Sequence, residues 1–345
     1  MRLVLFAGVA ALSSVIAVDA ASARDRLSRE CHREVVRLCG MDRSKIQSCL
    51  VEKRDRLSGK CTAQISELVR ERLDERRASG QAATFSAGAE LIAYGSDPLQ
   101  KLDFYAASAS NAPLVLFVHG GGWKRGDKGN ATGAYKAGHY TGLGYHFAST
   151  NYRLVPSATV EQQAADVAAA LAELLRRADT LGIDRQRVVL MGHSAGAHLV
   201  ALVGTDPQYL AGAGLTFSDV AGIIPLDGAG YDVPSQMGEN QALLGDTYEQ
   251  AFGTDPARQL ALSPTSHAAA PNAPVFLILH VERADAKRQS EGLATALRSA
   301  GTPVELREVA GRGLRGHMEI NRELGKPDYA ATPIVDAWLK ARFGS

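Results

Sequence analysis

Residues 188–196 of the chain read Val-Val-Leu-Met-Gly-His-Ser-Ala-Gly. The first four form an apolar run typical of a buried strand, and residues 195–203 are compatible with a helix. Glycines at 192 and 196 flank Ser194, and this spacing permits the tight strand-to-helix turn of a nucleophile elbow. The following helix N-terminus offers unpaired N–H groups to a developing oxyanion. The stretch predicts a nucleophilic Ser194, the alternative being an ordinary helix-capping serine.

The composition is that of an ordinary globular protein. The 345 residues, 46% hydrophobic and 22% charged, can form one large α/β domain with a small appendage. The net charge of +1 conceals a basic segment, because residues 24–77 hold 15 Lys+Arg against 10 Asp+Glu. Since the charges there alternate in sign, a solvated helical face is favoured over an anion-seeking surface, and no nucleic-acid partner is predicted.

The N-terminus has the pattern of an export signal. Arg2 precedes an apolar core at residues 3–18, and residues 21–23 form an Ala-Ser-Ala cleavage site. The apolar core is interrupted by serines and is short for a membrane span. We therefore expect residues 1–23 to be a signal peptide. The protein would then be periplasmic or secreted, with no transmembrane segment after cleavage; a retained N-terminal anchor is the alternative.

All four cysteines, Cys31, Cys39, Cys49 and Cys61, lie in one short segment. An even, clustered set in an exported chain is typical of two disulfides, and no pair has the close spacing of a zinc site. Three pairings are possible. We favour Cys31–Cys61 with Cys39–Cys49, which would staple short antiparallel helices. Residues 24–78 are therefore predicted to be a small helical module that depends on its bridges, because its apolar core is meagre.

The cysteine spacing of this module, C-x₇-C-x₉-C-x₁₁-C, is also informative. Together with Cys49-Leu50 and Leu57-Ser58, it resembles the cysteine-rich repeat of Golgi glycoproteins. The resemblance implies a binding or structural role without chemistry. A contact of the module with an envelope component or a glycan would follow from it.

Beyond a predicted Ala/Ser/Gly-rich linker at residues 79–89, strand-like and helical runs alternate through residues 90–345. This alternation predicts a mostly parallel, doubly wound sheet of eight strands. The strands are predicted at residues 91–94, 102–105, 114–119, 145–150, 187–191, 220–226, 275–280 and 304–309. The helices are predicted at residues 131–138, 160–180, 195–203, 286–300 and 329–342.

A second glycine-rich motif follows the third predicted strand. Residues 119–123 read His-Gly-Gly-Gly-Trp, and three glycines allow backbone N–H groups to turn toward a substrate oxygen. Paired with the elbow, such a loop supplies the oxyanion-binding donors of lipases and esterases. The predicted donors are the backbone N–H groups of Gly121, Gly122 and Ala195.

These motifs carry a family resemblance. The His119–Trp123 loop, the elbow at 192–196 and Asn151-Tyr152-Arg153-Leu154 resemble α/β-hydrolase carboxylesterases of the hormone-sensitive-lipase-like kind. Residues 123–128 and Ser263-Pro264 fit the branch of bacterial feruloyl-esterase-like (BD-FAE) and kynurenine-formamidase-like enzymes. The resemblance spans roughly residues 90–340. It implies an α/β-hydrolase fold and a triad in the chain order serine, acid, histidine.

This chain order selects the base. His317 follows the last predicted strand through the glycine-rich loop at residues 311–316. A loop there would let the side chain of a base reach the nucleophile. His280 ends a strand and precedes the best candidate acid, so its position in the order is wrong. His267 lies in a proline-rich approach to that strand and is read as structural. His317 is therefore the predicted base.

Two carboxylates follow the seventh predicted strand, Glu282 and Asp285. Asp285 directly precedes the helical run, where the family's aspartate normally sits, and is the predicted acid. The turn departs from the family, because a glycine common there is absent from residues 281–284. Asp227 and Asp232, which follow the sixth strand, are interpreted as residues of the pocket rim.

The sequence thus predicts an exported serine carboxylesterase that hydrolyses small to medium esters through an acyl-enzyme. Its predicted triad is Ser194, Asp285 and His317, and no metal or organic cofactor is implied. One alternative is an arylformamidase or amidase with the same triad. Another is a catalytically vestigial envelope-binding protein in which the cysteine module recognises its target.

Overall fold

A computed structural model describes residues 28–39, 56–64, 88–239 and 241–344. The chain divides into two compact units, residues 1–83 and 84–345. The predicted signal peptide lies outside the described residues, as does most of the predicted linker at residues 79–89. Both remain predictions.

The described part of the first unit is helical and disulfide-bonded. Helix Arg29–Cys39 and the helical residues 59–64 are joined by a disulfide between Cys31 and Cys61, whose Cα atoms are 5.0 Å apart. This pairing is the one that the sequence favoured. The cysteine that ends the first helix is also disulfide-bonded, and its predicted partner, Cys49, lies outside the described residues.

The second unit is built on an eight-stranded sheet in the order β1-β2-β4-β3-β5-β6-β7-β8. The strands are β1 Glu90–Ala93, β2 Lys101–Tyr105, β3 Ala112–Val118, β4 His146–Thr150, β5 Ile183–His193, β6 Gly222–Leu226, β7 Phe276–Glu282 and β8 Val304–Arg312. Only β2 runs against its neighbours, and every pairing from β4 to β8 is parallel. The predicted mostly parallel sheet is confirmed, with all eight strands present at slightly shifted ends.

Helices cover both faces of this sheet, which buries two apolar clusters. The helices of this unit are α1 Lys136–Gly142, α2 Val160–Arg176, α3 Ala178–Leu181, α4 Ala195–Thr205, α5 Pro207–Gly212, α6 Val233–Glu239, α7 Gln241–Phe252, α8 Pro256–Ala261, α9 Pro264–His267, α10 Ala284–Ser299, α11 Gly313–Arg322 and α12 Ala331–Phe343. Among the described residues, none of the helices combines the length and apolar character needed to cross a membrane.

Helix α2 shows how local sequence sets these elements. Thr159 and Gln162 form a capping box at its start, each side chain accepting a hydrogen bond from the other's backbone N–H. The predicted apolar stripe is buried in the first of these apolar clusters: Val160, Ala164, Val167, Leu171, Leu174 and Leu175. Because burial of one leucine side chain contributes about 1.5–3 kcal/mol, this face anchors the helix.

The segment that carries His317 differs from its prediction as a loop. It forms helix α11, which begins directly after β8. Gly311 and Gly313, with φ of 142° and 52°, make the turn between the two elements. The residues after this turn have a helical pattern, with an Arg315–Glu319 ion pair at i,i+4 and a buried Ile320. The glycines mark only the entry to the helix.

Candidate active site

Ser194 joins β5 to α4 in a strained turn. Its φ of 55° and ψ of −117° lie in a region that costs a residue with a side chain about 1–3 kcal/mol. A Cβ at Gly192 would lie 2.2 Å from the Gly196 carbonyl oxygen, and one at Gly196 would lie 2.1 Å from that of Val118. Both positions therefore require glycine. The Ser194 N–H donates to the Leu226 carbonyl at 3.0 Å, which ties the elbow to the end of β6.

His317 and Asp227 form a buried hydrogen-bonded pair. The His317 Nδ1 atom lies 2.5 Å from Asp227 Oδ2, and the Asp227 side chain is fully buried. The other carboxylate oxygen accepts the Val281 N–H at 3.0 Å. Because a carboxylate can only accept here, Nδ1 carries the proton and the other ring nitrogen, Nε2, is left to accept one.

The structure places the predicted acid elsewhere. Asp285 Oδ1 lies 3.1 Å from Arg283 Nε, and it is Asp227 that is bonded to His317. Glu282 is exposed and paired with Arg312, whose hydrogen bonds lower the pKa of the Glu282 carboxyl. The expected pairing of His317 with a carboxylate after β7 is therefore replaced by a pairing with the residue after β6.

The sequence placed Asp227 at the pocket rim, whereas the structure bonds it to His317 and so makes it a candidate functional residue. It directly follows β6, which is the neighbour of the strand that carries Ser194. Its φ of 43° turns the chain sharply at that point. Two signals could have found it: an aspartate at the carboxyl end of the strand beside the nucleophile, and the loss of the family's glycine from residues 281–284.

The glycine loop after β3 packs directly over the elbow. A Cβ at Gly120 would lie 3.0 Å from the Ser194 Cβ atom. Gly121 and Gly122 then turn with φ of 135° and 61°, conformations that favour glycine. Ala195 begins α4, so its N–H is among the first-turn groups without a partner within the helix. The three predicted donors thus lie on segments that meet at Ser194.

Replacing Gly121 by alanine is expected to lower kcat about 10²–10³-fold, the effect of losing one oxyanion donor. A Cβ there would lie 1.9 Å from the Arg125 carbonyl oxygen, so the loop must shift. Steady-state kinetics with a p-nitrophenyl ester measures the loss. Gly142→Ala is the matched control, because a Cβ at Gly142 meets nothing within 4 Å. A Gly121→Ala enzyme as active as this control would show that the loop does not act in catalysis.

Trp123 fastens the end of this loop to the core. Its side chain is 2% exposed and packs against the Phe252 ring, with centroids 4.7 Å apart. Its Nε1–H donates to His198 Nδ1 at 3.3 Å, and the His198 Nε2–H donates to the Leu262 carbonyl at 2.8 Å. Burial lowers the pKa of His198 to about 4, so the ring stays neutral and keeps both hydrogen bonds.

This buried histidine predicts a loss of stability in acid. An unfolded histidine has a pKa of about 6.5, so below that pH the unfolded chain binds a proton that folded His198 rejects. The stability contributed by neutral His198 is present above pH 6.5 and is lost as the pH falls toward 4, by about 3 kcal/mol in total. Urea unfolding at pH 7.5 and 4.5 should show a smaller pH dependence for His198→Gln than for the wild type. Equal dependence would contradict the prediction.

The remaining histidine candidates bind backbone carbonyls. His280 Nδ1 lies 3.0 Å from the Val281 carbonyl, and His267 Nε2 lies 2.8 Å from that of Ala261. Within residues 28–39, 56–64, 88–239 and 241–344, no group of three or more His, Cys, Asp or Glu side chains is arranged to hold a metal ion.

The sheet order and the elbow define an α/β-hydrolase, and solved structures share this fold. The native structure of Est2, a thermophilic esterase from Thermogutta terrifontis, superposes with a TM-score of 0.60 and 25% identity, covering 74% of this chain and 93% of Est2. The BD-FAE family pattern matches residues 102–297, more than half of the chain. The chain therefore belongs to the BD-FAE family. The match begins at residue 102, so the resemblance of the N-terminal module remains a prediction.

Two curated relatives are similar to parts of this chain. Esterase LipC of Mycobacterium tuberculosis is 30% identical over 207 residues, 56% of this chain and 50% of LipC. Kynurenine formamidase of Danio rerio is 26% identical over 253 residues, 71% of this chain and 79% of that enzyme. The chain thus spans half the length of LipC and most of the formamidase.

Proposed function

We propose that this chain is a serine carboxylesterase that hydrolyses small to medium carboxylic esters with Ser194, His317 and Asp227 as its triad. The 2.5 Å bond between His317 Nδ1 and the buried Asp227 carboxylate, beside the strained Ser194 elbow, carries the proposal. The names of LipC and Est2 as esterases support the choice of an ester substrate.

The first half of the proposed reaction forms an acyl-enzyme. His317 Nε2 takes the Ser194 proton while Oγ attacks the ester carbonyl carbon. The N–H groups of Gly121, Gly122 and Ala195 stabilise the negative oxygen of the tetrahedral intermediate. The intermediate collapses when His317 gives the proton to the departing alkoxide, and an alcohol leaves.

In the second half, water replaces the alcohol. His317 Nε2 takes a proton from the water as its oxygen attacks the acyl carbon, and a second tetrahedral intermediate forms in the same hole. Collapse returns the proton to Ser194 Oγ and releases the carboxylic acid. Water is consumed once per ester bond, and the enzyme is regenerated.

Asp227 holds the base in the required form throughout. Its carboxylate fixes the proton on His317 Nδ1 and stabilises the imidazolium that forms in each step. The Arg283 guanidinium lies 3.6 Å from Asp227 Oδ2 and also pairs with Asp285. This cation offsets part of the desolvation cost of a fully buried carboxylate.

An arylformamidase is the second candidate, because the similarity to kynurenine formamidase covers more of this chain than the similarity to LipC does. The same residues would act on a formamide, with His317 protonating a departing amine rather than an alkoxide. Rates with p-nitrophenyl acetate, methyl ferulate and N-formylkynurenine distinguish the two. A kcat/KM highest for one of the two esters supports the esterase proposal, and a clear preference for the formamide overturns it.

We also propose that the enzyme is exported and periplasmic or secreted. The N-terminal signal pattern and the disulfide-bonded first unit support this location. N-terminal sequencing of the full-length chain expressed in a Gram-negative host should find Arg24 as the first residue of the periplasmic protein. An intact Met1 on cytoplasmic protein would contradict export.

A further inference from the structure

His193 takes no part in the chemistry proposed above, although it precedes Ser194 in the chain. It ends β5, and its side chain is only 4% exposed. A residue in the middle of an elbow is free to point to solvent or pack inward, so the contacts made by this ring identify its role.

The His193 ring contacts the base in two ways. His193 Nε2 lies 2.8 Å from the main-chain carbonyl oxygen of His317. Because a carbonyl only accepts, this nitrogen carries the proton and donates it. The two imidazole rings are also in contact in a tilted arrangement, with centroids 4.5 Å apart and planes inclined at 36°. His193 therefore touches both the backbone and the ring of His317.

The opposite side of the ring is held by the glycine loop. A Cβ at Gly120 would lie 3.0 Å from His193 Nδ1 and 2.9 Å from the His193 carbonyl oxygen. The ring is thus wedged between the segment that leads into the oxyanion loop and the residue that acts as base. Its orientation is fixed by packing before any substrate binds.

The helix that carries the base has an exposed face on either side of His317 in the chain. Leu314 and Met318, which flank His317 in α11, are 71% and 51% exposed. The turn into the helix passes through Gly311 and Gly313, which have positive φ and wide backbone freedom. The ring of His317 bonds to Asp227 and its main-chain carbonyl bonds to His193, so these two contacts restrain the base directly.

The charge of His193 suits this position. Burial lowers the pKa of His193 well below its usual range, and the nearby His317 lowers it further, with Lys136 and Arg283 contributing. A neutral ring keeps its donor and does not repel the imidazolium that forms on His317 during the reaction.

We propose that His193 is a positioning residue for the base: its Nε2–H holds the His317 main chain so that the His317 ring stays between Asp227 and Ser194. The proposal rests on the function proposed above. It predicts that the hydrogen-bond donor, rather than the bulk of the ring, determines turnover.

Two variants separate these contributions. His193→Phe keeps a ring and removes the donor, so kcat should fall about 10- to 100-fold with KM nearly unchanged, the effect of a misplaced catalytic group. His193→Gln places an amide N–H near the position of Nε2, so kcat should recover to within about threefold of the wild type. His267→Phe is the matched control, since His267 makes the same kind of bond to a carbonyl at 2.8 Å and lies outside the site.

The outcomes distinguish the two proposals. If Ser194→Ala is inactive and His193→Phe keeps the wild-type kcat, or changes only KM, the positioning role is overturned and the triad stands. If Ser194→Ala retains full activity, the proposed function itself fails. If His193→Phe does not fold, His193→Asn replaces it, because its shorter amide does not reach the carbonyl. Equal kcat for His193→Asn and His193→Gln would then overturn the proposal.

Discussion

Asp227→Asn is expected to lower kcat about 10⁴-fold, the effect of the same change in a serine-protease triad. The asparagine oxygen still accepts the Val281 N–H, so the local backbone is preserved. Its amide, however, donates toward His317 Nδ1 and moves the ring proton to Nε2. That tautomer cannot accept the Ser194 proton. Steady-state kinetics against a p-nitrophenyl ester, with thermal unfolding to confirm a folded variant, measures the effect.

The matched control is Asp285→Asn, which changes the other aspartate near the base. Its carboxylate is partly exposed and paired with Arg283, so we expect kcat to stay within about tenfold of the wild type. Glu282→Gln should be equally mild, because Glu282 pairs with Arg312 at the surface. If Asp285→Asn is the damaging change and Asp227→Asn is mild, Asp227 is not the acid.

Ser194→Ala should lower kcat about 10⁶-fold, as does loss of the nucleophile in a comparable triad. The residual rate would reflect only binding and oxyanion stabilisation. Alanine at this position keeps the strained φ of 55°, so the unfolding temperature should stay close to that of the wild type. A fluorophosphonate probe should label the wild type and leave the variant unlabelled.

Ser218→Ala is the control for this experiment. Ser218 lies in a short 3₁₀ turn, and its hydroxyl is hydrogen-bonded to that of Thr216. It should be labelled as fast as the wild type. Labelling that survives in Ser194→Ala would place the nucleophile elsewhere. A folded wild type that is never labelled would favour the envelope-binding alternative, in which the fold has lost its chemistry.

Much of this architecture is determined locally, which is why the sequence predicted it. The strands of the parallel sheet are short apolar runs. Such runs can be recognised in the sequence without knowing which elements pack against them. The turn at Ser194 depends on Gly192 and Gly196, because backbone atoms approach both positions too closely for any side chain. The same holds for the loop at Gly121. These features depend on residues close together in the chain.

The helix that carries His317 was harder to predict for a local reason. Gly311, Gly313 and Gly316 suggest a loop, yet only the first two make a turn. At Gly316, a Cβ would lie 2.5 Å from the carbonyl carbon of Gly311, so this third glycine serves close packing inside the structure. A contact of that kind leaves no periodic trace in the sequence.

Ser194 and the loop of Gly121 and Gly122 could be predicted as candidates from the sequence, because each depends on turns made by neighbouring residues. His317 could be predicted from the chain order that the family resemblance implies. Which carboxylate bonds to His317 is visible only in the folded structure. Asp227 and Asp285 follow β6 and β7, which are adjacent in the sheet, so chain order and strand ends fit both. The choice rests on side-chain directions at that edge: Asp285 pairs with Arg283, and Asp227 turns inward to His317.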